Sequence, residues 1–140
     1  MVKLENKLKT KKIKIGILGG TFDPAHKGHL EISKQAKKRF GLKNITWAIT
    51  KQNPLKDESK SDLKNRIQFA KKIIGKNKYI KVKFYEEKIG SNKTIHLIGH
   101  LSKKKQREIY FIMGADNLIN FHKWYKWKSI VKKCNILVFD

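Results

Sequence analysis

Five short apolar runs divide the chain, and most of them lack a strict alternation of apolar and polar residues. They are rich in β-branched and aromatic residues, which is typical of parallel strands that are buried on both faces. We therefore predict five strands, over residues 13–18, 45–50, 79–85, 109–113 and 136–139.

Stretches with apolar residues at helical spacing lie between these runs. Residues 27–40 and 62–74 each stop before a glycine, Gly41 or Gly75, and glycine commonly ends helices. A third helical stretch covers residues 94–105. The alternation of strand and helix predicts an α/β fold, a doubly wound five-stranded parallel sheet with right-handed crossovers and helices on both faces. In such sheets ligands bind at the carboxyl ends of the strands.

Length and cysteine content indicate one domain from a reducing compartment. The chain has 140 residues and a single cysteine, Cys134, so no intrachain disulfide can form. Cys134 lies in an apolar run, which favours a buried strand residue over a nucleophile. Neither a signal peptide nor a run of about 18 apolar residues is present. We therefore predict a cytoplasmic protein that does not bind membranes, with a basic tail over residues 1–12 and a domain over residues 13–140.

The formal net charge of +23 invites comparison with nucleic-acid-binding proteins. Arginine is the residue favoured for phosphate and base contacts, yet only Arg39, Arg66 and Arg107 are arginines among 34 basic residues. The lysines are scattered over every segment, as an A/T-rich coding sequence would produce. We therefore expect no nucleic-acid partner. A basic nucleic-acid-binding protein remains the rival class.

The first predicted strand ends in Gly19 and Gly20, and a predicted helix begins soon after. Glycine lets the backbone approach a ligand closely, and the unpaired N–H groups and dipole at a helix start favour an anion. His26 and His29 lie three residues apart, which places both on one helix face near that end. They could merely cap the helix or face solvent. Together with the glycines they predict a phosphate-binding turn.

Residues 19–29 read Gly-Gly-Thr-Phe-Asp-Pro-Ala-His-Lys-Gly-His, which is similar to the signature of the nucleotidyltransferase superfamily. His26 stands where the phosphopantetheine branch usually has threonine. Residues 52–56, and residues 111–130 with their Gly-Ala-Asp turn and aromatic helix, resemble the nicotinate-nucleotide adenylyltransferases specifically. The resemblance implies a Rossmann-like nucleotidyltransferase fold.

This resemblance also implies an activity, transfer of AMP from ATP to nicotinate mononucleotide with release of pyrophosphate. The attacking phosphate has a second pKa of about 6, so the reaction needs alignment and charge compensation but no general base. His26 and His29 are the expected catalytic residues. Mg²⁺ is implied by the triphosphate and by no ligand cluster of the chain. By the same resemblance, Gly19, Gly20, Thr21, Phe22, Lys56, Gly114 and Asp116 would bind ATP or phosphate, and Thr94 and Trp124 would bind nicotinate mononucleotide.

Several alternatives stay open at the level of sequence. Trp124 and Trp127, at helical spacing, could both be core residues; we assign Trp124 to the substrate and Trp127 to packing. Lys93 and Leu97 depart from the family pattern around Thr94, which would alter the carboxylate pocket. Within enzymes, nicotinamide mononucleotide or phosphopantetheine is the alternative acceptor. A later Ser/Thr-rich motif of the superfamily has no counterpart before the end of this sequence. We therefore expect a C-terminally shortened domain, and a nucleotide-binding fragment with little catalysis is the second alternative.

Overall fold

A parallel five-stranded sheet in the order β3-β2-β1-β4-β5 forms the centre of the protein. The computed structural model describes residues 12–52, 62–104 and 106–140. All five predicted strands are confirmed, with shifted ends, and the third is shortest because residues 84–85 already lead into a helix. The strands are β1 Ile13–Gly20, β2 Asn44–Ile49, β3 Ile80–Lys83, β4 Arg107–Gly114 and β5 Asn135–Phe139.

The two long helices lie where the spacing of apolar residues predicts them. Helix α1 spans Lys27–Phe40 and ends at Gly41, whose left-handed φ of 67° suits glycine. Helix α2 spans Leu63–Ile74 and begins at Asp62, whose side chain accepts the N–H of Asn65. The remaining helices are α3 Glu86–Ile89, α4 Thr94–Leu101, α5 Ala115–Leu118 and α6 Trp127–Lys133. The third predicted helix therefore ends earlier than expected.

Apolar side chains cover both faces of the sheet, as the doubly wound prediction requires. One cluster joins Trp47, Ile45 and Ile112 to Ala36 of α1 and Ala70 of α2. The other packs α4 and α6 against the opposite face, through Ile17, Phe111, Ile95, Ile98 and Ile130. The register places Gly20 beside Ile49 and Leu18 beside Ile112, so the carboxyl ends of the three central strands share one edge.

The predicted aromatic helix over Phe121, Trp124 and Trp127 is wrong in one respect, since it is interrupted. A 3₁₀ turn spans Phe121–Lys123, Trp124 is extended, and Lys126 has a left-handed φ of 52° before α6 begins. The rings of Trp124 and Trp127 both pack edge-on against Phe121, at centroid distances of 5.2 and 5.8 Å. The ring of Trp124 also packs edge-on against Phe111 of β4, with centroids 5.8 Å apart, a contact that the helical spacing alone does not predict.

Cys134 also differs from its predicted position. It lies between α6 and β5 and is half-buried, and its thiol donates to the carbonyl of Ile130 at 3.3 Å. Burial raises the pKa of the Cys134 thiol to about 11, so little of the nucleophilic thiolate is present at neutral pH. This agrees with the expectation that Cys134 is not a nucleophile.

Candidate active site

A cavity of about 390 Å³ opens at the carboxyl ends of β1, β2 and β4. This is the edge where open α/β sheets bind ligands. It is lined by Gly19, Gly20 and Thr21 after β1, by residues 48–50 at the end of β2, and by Phe111 of β4. The remaining walls come from residues 85–97 and from Asn117, Lys123, Trp124 and Tyr125.

The turn after β1 is anchored in the core by Phe22. This residue has a left-handed φ of 50°, a conformation that costs a non-glycine residue about 1–2 kcal/mol. Its ring is 2% exposed and stacks on Trp47 with centroids 5.1 Å apart, which offsets that cost. The peptide bond between Asp23 and Pro24 is cis. Phe22 can therefore offer a ligand only its backbone, while its side chain fixes the turn.

His26 and His29 form a reciprocal cap at the start of α1. Nδ1 of His26 accepts the N–H of Gly28 at 3.0 Å, and Nδ1 of His29 accepts the N–H of His26 at 3.1 Å. This is a capping box in which histidines take the usual places of Ser/Thr and Glu/Gln. A neutral ring that accepts at Nδ1 carries its proton at Nε2. Both histidines thus cap the helix through Nδ1 and have Nε2 as the donor nitrogen of the neutral ring.

A buried hydrogen-bond chain supports His29 from beneath. The indole N–H of Trp47 donates to Oγ of Ser33 at 2.8 Å, and that hydroxyl donates to the carbonyl of His29 at 2.8 Å. Ser33 and Trp47 are both fully buried, and the Trp47 ring lies 5.8 Å from the His29 ring. Sequence patterns place Ser33 on the inner face of α1 but give no sign of its partner on β2.

Two charged side chains that sequence reasoning missed hold the neighbouring loops. Arg66 of α2 is 3% exposed, and its guanidinium donates to the carbonyls of Thr21, Thr50 and Lys51. Glu86 accepts the Thr50 hydroxyl at 2.5 Å and the Lys51 N–H at 3.0 Å. The sequence contains only three arginines, and Arg66 is one of them and interrupts the apolar face of α2. This position is the signal that could have identified it.

The opposite wall carries the residues assigned to the nicotinate group. Thr94 begins α4, and Trp124 faces the same cavity as the Gly19–Gly20 turn. The Ser91 hydroxyl accepts the N–H of Lys93 at 3.0 Å and contacts Nδ1 of His96 at 2.6 Å, so it fixes the approach to α4. The structure therefore brings Gly19, Gly20, Thr21, Thr94 and Trp124 to one cavity.

Other candidate residues lie beside this cavity and do not line it. His26 and His29 follow the turn and start α1, and Asp116 is exposed on α5. A Cβ on Gly114 would lie 2.6 Å from Oδ1 of Asp116, so any other residue here would displace the Asp116 carboxylate from its present position. Lys56 lies outside the described residues.

The described residues bear on two other kinds of site. No helix in residues 12–52, 62–104 or 106–140 is long and apolar enough to cross a membrane. Within the same ranges, no group of three or more His, Cys, Asp or Glu side chains could hold a metal ion. Burial raises the pKa of Tyr85 on the cavity wall, although Arg107 opposes the shift, so this phenol stays neutral.

Comparison with known proteins agrees with this geometry. The cytidylyltransferase-like family model matches residues 17–140. A probable nicotinate-nucleotide adenylyltransferase of Pelagibacter ubique is 81% identical over all 140 residues, which cover 78% of that protein. A protein of Rhizobium meliloti with the same description is 38% identical over 129 residues, 90% of this chain and 68% of that one.

Solved structures show the same fold at lower identity. A putative nicotinate-nucleotide adenylyltransferase from Vibrio parahaemolyticus superposes with a TM-score of 0.75 at 19% identity, covering 91% of this chain and 77% of that one. A Plasmodium falciparum nicotinic acid mononucleotide adenylyltransferase complexed with NaAD gives 0.74 at 18% identity, with 91% and 74% coverage. With the family model matched over most of its length, the chain belongs to the cytidylyltransferase-like family, in the branch of the probable nicotinate-nucleotide adenylyltransferases.

Proposed function

We propose that this chain is an adenylyltransferase that transfers AMP from ATP to nicotinate mononucleotide, giving nicotinate adenine dinucleotide and pyrophosphate. The relatives that match it over most of its length are described by this activity. The geometry that best supports the proposal is the reciprocal cap, in which both histidines accept at Nδ1 and keep Nε2 as the donor nitrogen, on the helix that follows the glycine turn of the cavity.

In the proposed reaction, a phosphate oxygen of the mononucleotide attacks the α-phosphorus of ATP. The new P–O bond forms as the bond from the α-phosphorus to the bridging oxygen breaks, and that oxygen leaves with pyrophosphate. The nucleophile is already ionised, so the protein supplies position and charge compensation. His26, His29 and the backbone N–H groups of Thr21 and Phe22 are proposed to donate to the α-phosphate and leaving-group oxygens.

The nicotinate mononucleotide is proposed to occupy the wall formed by Trp124 and the start of α4. The flat pyridine ring can stack on the indole of Trp124, which its packing on Phe111 and Phe121 holds in place. The N–H of Thr94 is proposed to bind the carboxylate, at a helix end where negative charge is favoured.

The remaining ATP contacts complete the proposal. Gly19, Gly20 and Thr21 let the triphosphate approach the backbone closely. Asp116 is proposed to bind ribose hydroxyls, with Gly114 giving its carboxylate room. Lys56 is proposed to meet a phosphate as a point charge.

The described residues do not offer a protein-made metal site. We propose that Mg²⁺ enters with ATP and keeps phosphate and water oxygens as its ligands, which is its usual preference at nucleotide sites. When bound there it neutralises charge on the triphosphate.

The test separates the two roles of His29. His29→Gln and His29→Glu both retain an acceptor suited to this position of a capping box, but only glutamine also retains a donor. We expect His29→Glu to fold normally and to lose roughly 10²–10³ in turnover, the loss typical of an oxyanion donor. His29→Gln should keep more activity, and Lys34→Gln, on the exposed side of α1, should resemble the unaltered protein.

Pyrophosphate release is measured with ATP and each of nicotinate mononucleotide, nicotinamide mononucleotide and phosphopantetheine. Fastest release with nicotinate mononucleotide supports the proposed acceptor. Full turnover in His29→Glu would contradict the assigned role of His29. If calorimetry shows ATP binding but no pyrophosphate is released with any of the three acceptors, the result would instead favour a nucleotide-binding protein without catalysis.

A further inference from the structure

We infer that Arg66 is a positioning residue that sets the direction of the backbone N–H groups in the phosphate-binding turn. The inference rests on the proposed function for its effect on turnover. Arg66 lies on α2, outside the signature motif, and none of the roles assigned above involves its side chain touching a substrate.

Arg66 joins two loops that end neighbouring strands. One of its terminal nitrogens donates to the carbonyls of Thr21 and Thr50, at 2.9 and 2.8 Å, and the other donates to the carbonyl of Lys51 at 2.8 Å. Thr21 follows β1 and Thr50 follows β2, and both line the cavity. A single planar side chain therefore fixes the separation of the two loops.

The direction of each carbonyl decides the direction of the next N–H, because a trans peptide unit is planar and holds the two groups on opposite sides. The Thr50–Lys51 unit illustrates this within the structure. Its carbonyl faces Arg66, and its N–H donates to Glu86 on the other side, at 3.0 Å. By the same geometry, the Thr21 carbonyl faces Arg66 and the Phe22 N–H points away from α2.

Phe22 is where this constraint matters most. Its left-handed φ is unfavourable, and relaxing that angle would rotate the Thr21–Phe22 peptide unit and its N–H. The hydrogen bond from Arg66 to Thr21 opposes the rotation on the carbonyl side, while stacking of the Phe22 ring on Trp47 opposes it on the side-chain side. Loss of Arg66 removes one of these two restraints.

The geometry also explains why arginine occupies this position. A guanidinium presents several N–H donors in a fixed plane and can hold three carbonyls at once, whereas an ammonium is a compact group on a flexible stem. Lysine at position 66 could keep a positive charge between the loops without fixing both carbonyl directions. Arginine and lysine at position 66 should therefore differ in how well they hold the two loops, and an experiment can detect this difference.

The test compares Arg66→Lys and Arg66→Ala with Ile74→Ala, a buried apolar truncation on the same helix. Turnover and KM for ATP are measured well below the unfolding temperature of each variant. We expect both Arg66 variants to lose about tenfold or more in kcat, as misaligned reacting groups do, with a smaller change in KM. Millimolar guanidinium chloride should restore part of kcat in Arg66→Ala and none in Ile74→Ala.

A second measurement does not depend on turnover. Amide ¹H–¹⁵N spectra of Arg66→Lys should show large shifts at Phe22 and Lys51, with the middle of α1 unchanged. Unchanged Phe22 and Lys51 amides, or kcat in Arg66→Ala equal to that of Ile74→Ala, would overturn the inference. Absence of turnover in the unaltered protein would refute the proposed function and leave the spectra to decide the role of Arg66.

Discussion

The hydrogen-bond chain beneath His29 gives a prediction about folding stability. Ser33→Ala removes the hydroxyl that accepts the Trp47 indole N–H, and both residues are fully buried. The N–H would then remain without a partner in the core, and leaving a buried donor unsatisfied costs about 1–3 kcal/mol. Loss of the bond from Ser33 to the His29 carbonyl adds about 0.5–1 kcal/mol.

Trp47→Phe supplies the second edge of a double-mutant cycle. It deletes the indole N–H and part of a large buried ring, at a cost of roughly 1–3 kcal/mol for lost packing. In that background Ser33→Ala leaves no indole donor behind, so it should cost only about 0.5–1 kcal/mol. The difference between the two Ser33 effects predicts a coupling free energy of about 1–3 kcal/mol.

The assay is urea unfolding followed by circular dichroism at 222 nm, which does not depend on Trp47 fluorescence. Each kcal/mol should also appear as a fall of roughly 3–4 °C in Tm for a chain of this size. Ser102→Ala, at an exposed helix end, is the matched control and should change stability by less than about 0.5 kcal/mol. Strict additivity of Ser33→Ala and Trp47→Phe would refute the reasoning, because it would mean that the indole does not depend on Ser33.

Two further predictions concern single positions. Gly28→Ala would place a Cβ 2.8 Å from Nδ1 of His26, so the ring must leave its capping position. We expect turnover to be lost because His26 is displaced. Tm should be nearly unchanged, because alanine raises helix stability by up to about 1 kcal/mol and loss of the cap costs about as much. Gly99→Ala, where the new Cβ meets nothing within 4 Å, is its control and should retain turnover, whereas full activity of Gly28→Ala would show that the His26 position is not needed. Because the pKa of the Cys134 thiol is raised to about 11, this thiol should react with iodoacetamide at pH 8 roughly a hundredfold more slowly than in urea-unfolded protein. Equal rates would contradict the burial of that thiol.

The elements that the sequence predicts well are those with local causes. Helix α1 begins and ends at the predicted residues because its signals lie within its own length, a cap at His26 and a left-handed glycine at Gly41. The strands along the chain can likewise be predicted, because each apolar run has turn residues beside it. The family signature adds the cavity at the carboxyl end of β1, where Thr94 and Trp124 also lie.

The interactions that escaped prediction join residues far apart in the chain. Ser33 and Trp47 are separated by 14 positions, and Arg66 and Thr21 by 45, so no local spacing reveals either pair. The break at Trp124 has a similar origin. Packing of two tryptophans around Phe121 overrides a helical spacing that, taken alone, favours a continuous helix.

The start of α1 shows how stability and proposed chemistry share the same atoms. Serine, threonine or aspartate would satisfy the N–H of Gly28 as well as His26 does, and these residues are the preferred caps. None of these three side chains combines a backbone-capping acceptor with a separate N–H donor, which neutral imidazole does because one ring nitrogen accepts while the other donates. Aspartate would also place a negative charge where the triphosphate is proposed to bind. The cap at the proposed phosphate-binding turn therefore holds each ring in the tautomer whose donor is Nε2, the atom proposed to contact the phosphate.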